Sequence, residues 1–394
     1  MTPNPTTQTL SAKDIGLYIH WPFCAKKCPY CDFNSHVRDS FDSAAFLQSY
    51  EAELEHQIKT LDGHQLVSIF FGGGTPSLMP ADVTKAIIDR AAAVFNIHPD
   101  DIEITLEANP NSVEAAKFQA FRRAGVNRVS VGVQSFQDDA LKFLGRLHGA
   151  DEAIAAIKLA RETFERYSFD LIYARPEQTL DAWRDELEFA LNLAGDHLSL
   201  YQLTIEPGTA FYGQYHKGKF QLPNEDLAAD LYQLTNEMTA AAGLTMYEIS
   251  NYARPGFESL HNKGYWQGRY YVGLGPGAHG RLPSSKGCVG LMNHKKPEHW
   301  LKAVAAKGHG VKEWQEIDAK DRAEEMVLMG LRMVSGLDKT LFRTLSGYDL
   351  NDIINQDAVA TLVDEGLLSD DEKGLKLTPA GLPLLDAVLR HILT

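Results

Sequence analysis

Residues 17–33, LYIHWPFCAKKCPYCDF, contain three of the four cysteines of this 394-residue chain. Cys24, Cys28 and Cys31 have the spacing C-x3-C-x2-C and follow an apolar run that is typical of a β-strand. Thiolates in such a loop bind zinc, copper or an iron–sulfur cluster. Because only three ligands are local, a fourth has to come from elsewhere. Either His36 or Cys288 completes a zinc site, or one iron of a 4Fe–4S cluster stays open for a ligand that is not protein.

The composition limits the classes of protein that remain. The formal net charge is −14, and no block of basic residues offsets it, so we expect no nucleic-acid partner. No apolar run reaches the roughly 20 residues of a membrane span, and the start of the chain lacks the basic and apolar parts of a signal peptide. We therefore expect a disordered lead over residues 1–14 and a cytoplasmic protein, in which disulfides are a poor explanation for the cysteines.

Strand-like and helical segments alternate along the first 245 residues. The strand-like runs are LYIH, LVSIFFGGG, IEITLEANP, RVSVGVQSF, FDLIYARP and HLSLYQLTIEP, with a helical run between each and the next. This alternation predicts parallel strands joined by right-handed crossovers. Six units are fewer than the eight of a closed (β/α)8 barrel. We therefore predict an α/β fold with a partial, TIM-like (β/α)6 barrel over residues 15–245, with a flat doubly wound sheet as the alternative.

Two further regions follow the predicted barrel. Residues 246–314 contain one strand-like run, MYEISNYA, and a Gly- and aromatic-rich segment, HNKGYWQGRYYVGLGPGAHG, which we predict to be a non-helical bridge. Residues 315–394 combine helical runs with a small hairpin and a Thr-Pro turn, which indicates a winged-helix-like domain. That domain has fifteen acidic and eight basic side chains. A DNA-binding module would be basic, so we expect it to pack on the barrel or on a partner.

Glycine, amide and carboxylate residues follow the predicted strands at the points where these end. GGGTPS follows the second strand, and the later strands end in EANP, GVQSF and ARPEQT. The carboxyl ends of parallel strands meet at one rim, which is where α/β folds bind their ligands. We therefore expect these residues to surround one site together with the cysteine loop.

These motifs resemble the radical SAM superfamily, in which three cysteines bind a 4Fe–4S cluster and S-adenosylmethionine (SAM) coordinates the open iron. The resemblance implies that Tyr30 lies against adenine and that Gly73, Gly74 and Thr75 meet the methionyl group. The whole chain is similar to the subfamily of oxygen-independent coproporphyrinogen III dehydrogenases, through YIHWPFCAKKCPYCDF, FFGGGTPS, GVNRVSVGVQSF, SLYQLTIEPGT and HNKGYW. That similarity implies further SAM contacts at Tyr18, Glu107, Gln134, Arg146 and Asp170. The sequence departs from the pattern at Ala174 and Arg175.

The subfamily has two branches, the dehydrogenases and the HemW-type haem chaperones, which bind haem and deliver it to apo-proteins. Phe33 stands where the dehydrogenases have a further cysteine, and a long segment ahead of the first strand is not expected here. The motif HNKGYW matches the chaperone branch, which implies haem as a third cofactor and His261 as its iron ligand, with His279, Cys288 and His294 as alternatives. We therefore expect a haem chaperone without dehydrogenase activity, a homodimer as its compatible assembly, and apo-haemoproteins, including membrane-bound respiratory enzymes, as recipients.

Overall fold

The computed structural model of the chain describes residues 10–38, 40–285 and 287–393. Its strands are β1 (Asp14–Trp21), β2 (Phe23–Cys24), β3 (His36–Val37), β4 (Gln65–Gly73), β5 (Glu103–Ala108), β6 (Arg128–Gln134), β7 (Arg166–Tyr173), β8 (His197–Gln202), β9 (Thr245–Glu248), β10 (Asn251–Ala253), β11 (Tyr271–Leu274), β12 (His279–Ser284), β13 (Gly287–Asn293), β14 (Val311–Ile317), β15 (Leu337–Asp338), β16 (Leu368–Asp370) and β17 (Gly374–Leu377). Its helices are α1 (Ser43–Gln57), α2 (Ala81–Phe95), α3 (Ser112–Ala115), α4 (Phe118–Arg123), α5 (Asp138–Phe143), α6 (Ala150–Thr163), α7 (Leu180–Leu193), α8 (Ala210–His216), α9 (Glu225–Ala241), α10 (Leu260–Trp266), α11 (Pro297–Lys307), α12 (Ala319–Gly330), α13 (Lys339–Ser346), α14 (Gln356–Asp364) and α15 (Leu385–Ile392).

Six parallel strands form the centre of a twelve-stranded sheet. In spatial order they are β1, β4, β5, β6, β7 and β8, and each pairs in parallel with the next. Helices connect them, as right-handed crossovers require. The prediction of a partial (β/α)6 barrel is therefore confirmed, and the strands end at a common rim.

Successive side chains of β1 face two different environments, the apolar core between sheet and helices and the polar interior of the barrel. Ile15, Leu17 and Ile19 are fully buried and belong to the large apolar core under the helices. Because successive side chains of a strand point to opposite faces, Tyr18 and His20 point into the barrel instead. Interior positions on the other strands are likewise polar or aromatic, which leaves hydrogen-bonding groups available at the rim.

The segment predicted as a bridge, 246–314, continues the same sheet. The run MYEISNYA is not one strand but two, because β9 and β10 pair antiparallel beside β8. The chain then crosses to the other side of the barrel, where β11 runs parallel to β1 and β12–β14 extend the sheet as an antiparallel meander. The segment therefore joins the two sides of the open barrel.

The prediction that HNKGYW is non-helical is wrong, since these residues form most of α10. Ser259 caps the helix by accepting a hydrogen bond from the Asn262 backbone N–H. Such a cap satisfies an otherwise unpaired N–H of the first turn, and it offsets the cost of a glycine inside a short helix. The cap places the motif residues on a helix instead of a loop.

The C-terminal region has a core of its own. Its buried apolar side chains run from Ala323 to Ile392 and form a cluster separate from that of the barrel. Three short antiparallel strands, in the order β15-β17-β16, accompany α12–α15. This helix-and-wing arrangement is the kind predicted for the C-terminal region, but residues 315–317 still belong to β14 of the large sheet.

Of the predicted lead, residues 1–9 lie outside the described part of the chain. Arg269 donates hydrogen bonds to the backbone carbonyls of Leu10 and Ser11, and Asp14 already belongs to β1. The end of the lead is therefore bound to the barrel, in contrast to the expectation of disorder up to residue 14.

Candidate functional site

A cavity of about 170 Å³ opens at the carboxyl ends of the barrel strands. Eleven of the thirteen predicted site residues line it: Cys24, Cys28, Tyr30, Cys31, Gly73, Gly74, Thr75, Glu107, Gln134, Arg146 and Asp170. The structure therefore brings together residues that lie up to 146 positions apart, as the strand-end argument predicted. Tyr18 and His261 lie elsewhere.

The cysteine loop is held from both sides. Asn34, just after the loop, donates through Nδ2 to the carbonyls of Pro276 and Lys295 (2.9 Å each). Its own carbonyl lies 2.8 Å from Nε2 of His20, whose Nδ1 lies 3.0 Å from the Tyr18 hydroxyl. These contacts fix the base of the loop, while the three thiols stay free and face the cavity.

The zinc alternative finds no support in this arrangement. Within residues 10–38, 40–285 and 287–393, no three Cys, His or carboxylate side chains converge on one point as a single metal ion requires. Cys288 is fully buried on β13, and the His36 ring lies 3.2 Å from the Lys295 carbonyl. A cluster several atoms across does not need such convergence, since each thiolate binds a different iron.

The glycine motif packs directly against the cysteine segment. The N–H of Gly74 donates to the Trp21 carbonyl (2.7 Å), and that of Thr75 donates to the Phe23 carbonyl (2.8 Å). A Cβ at Gly74 would lie 2.6 Å from the Phe23 carbonyl oxygen, so only glycine fits there. Thr75 completes the contact, because its hydroxyl lies 3.4 Å from Cys24 Sγ.

Two partly buried carboxylates, Glu107 and Asp170, face the cavity from β5 and β7. Burial raises the pKa of Glu107 to about 8, and the neighbouring Asp170 raises it further in the same direction. Burial also raises the pKa of Asp170 to about 6, although hydrogen bonds from Ser199 and Ser130 oppose the shift. Arg128 opposes both shifts only in part, so a ligand with a positively charged group would stabilise the ionised forms of both carboxylates.

Arg146 supplies the opposite charge at the same cavity. Its Nη2 donates to Asn109 Oδ1 (2.6 Å) and to the Gly132 carbonyl (2.7 Å), and its Nη1 lies 3.5 Å from Cys28 Sγ. Its buried Nε has no partner within the described residues. An unpaired buried guanidinium N–H is costly, so this donor is available to a ligand carboxylate. With Glu107 and Asp170, it suits the ammonium, sulfonium, carboxylate and ribose groups of SAM.

Gln134 reaches the cavity through an unusual backbone conformation. It ends β6 with φ of 73°, in the left-handed region that side chains other than glycine, asparagine and aspartate rarely adopt. The pairing of β6 with β7 is irregular at the same point, between Val131 and Gln134. Such local strain is concentrated at functional sites, which supports the predicted ligand contact.

The departure from the family pattern at Ala174 and Arg175 does not reach the cavity. Ala174 has a positive φ of 54°, which turns the chain at the end of β7. The Arg175 guanidinium is buried and pairs with Glu186 on α7 and with the Ser135 hydroxyl. Arg175 therefore anchors the turn to α7, and it does not line the cavity.

Tyr18 and His261 form a stack below the cavity. The His261 ring lies 4.5 Å from the Phe70 ring and 6.1 Å from that of Tyr18. The backbone N–H of His261 donates to the Glu103 carboxylate (3.2 Å), and Glu103 is the first residue of β5. The structure thus places α10 at the amino-terminal ends of the strands. The segment therefore crosses between the two sides of the sheet beneath the barrel and does not approach the cysteine rim.

The His261 imidazole is neutral and its Nδ1 is buried without a hydrogen-bond partner in the described residues. Burial lowers its pKa to about 4. The cavity beside it measures about 10 Å³, which is room for about one water molecule. In this conformation a ligand as large as haem does not fit, so iron coordination by His261 requires α10 to move away from the barrel.

Sequence reasoning missed several polar residues of the cavity. Asn109 connects Arg146 to Thr75, whose hydroxyl lies 3.2 Å from Asn109 Nδ2. Glu114 is buried and accepts hydrogen bonds from Ser77 and Asn111. The motif LEANPNS carried a signal, because its two asparagines follow a strand end directly, but nothing in their spacing shows which of them faces the ligand.

The comparisons with known proteins agree with this geometry. Residues 18–190 match the model of the radical SAM superfamily, and residues 317–384 match that of the HemN C-terminal domain. The chain is 36% identical to the mitochondrial radical S-adenosyl methionine domain-containing protein 1 of Bos taurus, over 100% of this chain and 90% of that protein. It is 35% identical to the heme chaperone HemW of Bacillus subtilis, over 92% of this chain and 95% of that protein.

Escherichia coli provides a further relative and a solved fold. The chain is 34% identical to its heme chaperone HemW, over 96% of this chain and 98% of that protein. The structure of its coproporphyrinogen III oxidase HemN, a radical SAM enzyme, matches with a TM-score of 0.79 at 23% identity, over 96% of this chain and 89% of that one. Of the helices in the described residues, none is both long and apolar enough to cross a membrane. The chain therefore belongs to the radical SAM superfamily and, within it, to the family that contains the HemW haem chaperones.

Proposed function

We propose that this protein is a haem chaperone that carries a 4Fe–4S cluster on Cys24, Cys28 and Cys31. SAM coordinates the open iron and lies along the cavity, while haem binds at a separate site that includes His261. The recipients are apo-haemoproteins, membrane-bound respiratory enzymes among them, and the protein acts in the cytoplasm, with a homodimer as a compatible assembly. The relatives named heme chaperone HemW support this function.

The chemistry of the cavity supports the cluster and the SAM site. Three free thiols face it, and Glu107, Asp170 and the Nε of Arg146 offer opposite charges to one ligand. In such a protein a reduced cluster, when bound, supplies one electron to SAM. The chain's own residues bind and orient that ligand. The glycines of GGGTP allow close approach, and Tyr30, whose hydroxyl accepts from Arg146 Nη1 (3.4 Å), offers an aromatic ring.

The observation that carries the haem site is the position of His261. A neutral imidazole binds haem iron well, and this one keeps an unpaired Nδ1 on a helix that also presents Tyr265 and Trp266. Because α10 lies at the end of the barrel opposite the cysteine loop, haem and cluster would not compete for space. A short helix that has to open before it binds is also suited to release of its cargo.

The test is a comparison of three variants after anaerobic reconstitution with iron and sulfide. We expect Cys28→Ala to lose the broad visible absorption of the cluster and to keep haem binding. We expect His261→Ala to keep the cluster, to shift the haem absorption band and to bind haem at least tenfold more weakly. Cys288→Ala, which removes the free thiol outside the cysteine loop, is the control for the cluster and should keep its visible absorption.

Three results would contradict the proposal. An unaltered protein that binds no haem is not a haem chaperone. A Cys28→Ala variant with full iron content, or stoichiometric zinc in the unaltered protein, would exclude the assigned cluster. If His261→Ala alone behaves like the unaltered protein, the iron ligand is one of His279, Cys288 and His294 and the function stands.

A further inference from the structure

An arginine from the C-terminal domain lies on the aromatic end of α10. The guanidinium carbon of Arg332, just after α12, is 4.6 Å from the centre of the Trp266 ring. Tyr265 lies beside it, with its ring centre 5.1 Å from that of Trp266, and is 39% exposed. A cation over a tryptophan beside an exposed tyrosine forms a surface that is flat, aromatic and positively charged.

Positive charge is in excess around this surface. Arg281 and Arg322 share a single carboxylate, that of Glu325, at 2.8 and 2.7 Å. Arg332 forms no ion pair within the described residues, and its Nε is buried without a hydrogen-bond partner. Burial raises the pKa of the Glu248 carboxyl group, and Arg332 opposes that shift. The Glu248 carboxylate accepts hydrogen bonds from Asn251 and Ser250, and it forms no hydrogen bond with Arg332 in the described residues. Three guanidinium groups thus lie near two carboxylates, and of these only Glu325 forms ion pairs with them.

Backbone contacts hold Arg332 in this position. The next residue, Met333, forms a β-bridge with Glu248 at the end of β9. The N–H of Val334 then donates to the Tyr247 carbonyl (3.0 Å). Arg322 also donates to the Gly268 carbonyl, just after α10. The start of the C-terminal domain is therefore joined to the end of β9 and to the residue that follows the α10 segment.

We infer that Arg332 binds a carboxylate of haem, so that the C-terminal domain contributes directly to the haem site. The inference rests on the proposed haem-binding function. Haem is a flat apolar ring with two propionates at one edge, and it matches a surface where aromatic rings adjoin an unpaired arginine. Trp266 follows His261 by five residues, about 7.5 Å along the helix axis. The proposed iron ligand and the Trp266 ring therefore belong to the same short helix.

The inference predicts which chemical group of the ligand Arg332 recognises. The experiment titrates the full-length, cluster-containing protein with ferric haem and with its dimethyl ester, in which both carboxylates are blocked. We expect Arg332→Gln to weaken haem binding about tenfold, as the loss of one charge-assisted hydrogen bond would. The same variant should bind the dimethyl ester as the unaltered protein does. Arg332→Lys, which keeps the charge, should recover part of the affinity for haem.

The control is Arg343→Gln, an exposed arginine of the same domain that pairs with Asp349. It should leave both titrations unchanged. Equal affinities of Arg332→Gln and the unaltered protein for haem would overturn the inference. So would an equal loss of affinity for haem and ester, since Arg332 would then support only the ring or the fold. If the unaltered protein binds neither ligand, the proposed function itself fails, and the inference fails with it.

Discussion

Gly74 lies in the cavity wall, in direct contact with the cysteine segment. Its backbone joins the strand that carries the glycine motif to the segment that carries the cysteines, with an N–H to carbonyl distance of 2.7 Å to Trp21. A side chain there would meet the carbonyl of Phe23, which belongs to the backbone and has no room to move. The geometry of the cysteine loop therefore depends on the absence of one methyl group.

Gly74→Ala should separate the two walls and impair both cofactors. A Cβ at 2.6 Å from the Phe23 carbonyl oxygen requires a backbone shift, so we expect less than half of the normal cluster content and at least tenfold weaker SAM binding. Iron analysis and calorimetric titration with SAM measure these effects. Gly213→Ala is the control, because a Cβ there meets no atom within 4 Å, and normal values for Gly74→Ala would show that the close approach is not needed.

SAM binding should depend on pH through Glu107. In the ligand-free protein its pKa is raised to about 8, so the carboxyl group is largely protonated below that pH. A cationic ligand favours the ionised form, and binding therefore releases a proton below pH 8. We expect the affinity for SAM to rise between pH 6 and pH 8, by at most about tenfold per unit for one group. In Glu107→Gln the affinity should be lower and this rise should be lost, which titrations at several pH values measure.

At the scale of elements, the strand ends were predictable and the connections were less so. Each barrel strand combines an apolar run with a polar or glycine-containing end, and that pattern is local in the sequence. The run VEAAKFQAFRRAG predicts one helix, yet it forms α3 and α4 with a break at Lys117. The position of α10 was also not predictable, because it depends on contacts of His261 with Glu103 and Phe70 that lie far away in the chain.

Helix α1 is joined to the antiparallel part of the sheet by one buried carboxylate. Glu53 Oε2 accepts from the Gly275 N–H, Asn293 Nδ2 and Trp300 Nε1 at 2.9 to 3.1 Å, and Oε1 accepts from the Gly310 N–H at 2.7 Å. Four donors surround an acceptor group, and none of its neighbours in this set accepts. An ionised carboxylate, which has only acceptor atoms, can accept from all four of these donors.

Glu53→Gln should destabilise the protein although it conserves shape. The new amide NH₂ would face N–H donors, so we expect the free energy of unfolding to fall by about 2 to 4 kcal/mol, the cost of unsatisfied buried polar groups. Glu55→Gln, which breaks only the exposed pair with Arg90, should cost less than about 1 kcal/mol. Denaturant unfolding of both variants measures the difference, and equal stabilities would show that the four hydrogen bonds contribute little.

Stability should also respond to pH through Glu53. Burial raises its pKa from 4.5 to about 7, so the folded state retains a proton on this group that the unfolded state has already released. Between these values stability falls as pH rises, because the folded state binds more protons than the unfolded state. Denaturant unfolding between pH 5 and pH 8 should show a loss with rising pH that Glu53→Gln lacks, and an identical profile for both proteins would contradict this assignment.

On the scale of the whole molecule, the two proposed sites lie at opposite ends of the barrel. The cysteine loop and the glycine motif occupy the carboxyl ends of the strands, whereas α10 and the start of the C-terminal domain lie at the amino ends. A dehydrogenase has to bring its porphyrinogen to SAM. A carrier does not have to bring haem to SAM, so separate sites for the two ligands are compatible with a haem chaperone.

The protein should not convert coproporphyrinogen III to protoporphyrinogen IX. Its fold matches that of HemN, but a shared fold does not transfer an activity. Phe33 lines the mouth of the cavity and is 57% exposed, at the position where the dehydrogenases have a cysteine, so the rim presents an apolar ring instead of a thiol. We expect no product above background from the reconstituted, reduced protein with SAM, with HemN as the positive control.

Because SAM cleavage without substrate would still show a working cluster, 5′-deoxyadenosine has to be measured in the same samples. Protoporphyrinogen formation in step with that cleavage would identify the protein as a dehydrogenase, since only a substrate bound beside SAM loses its propionate hydrogens.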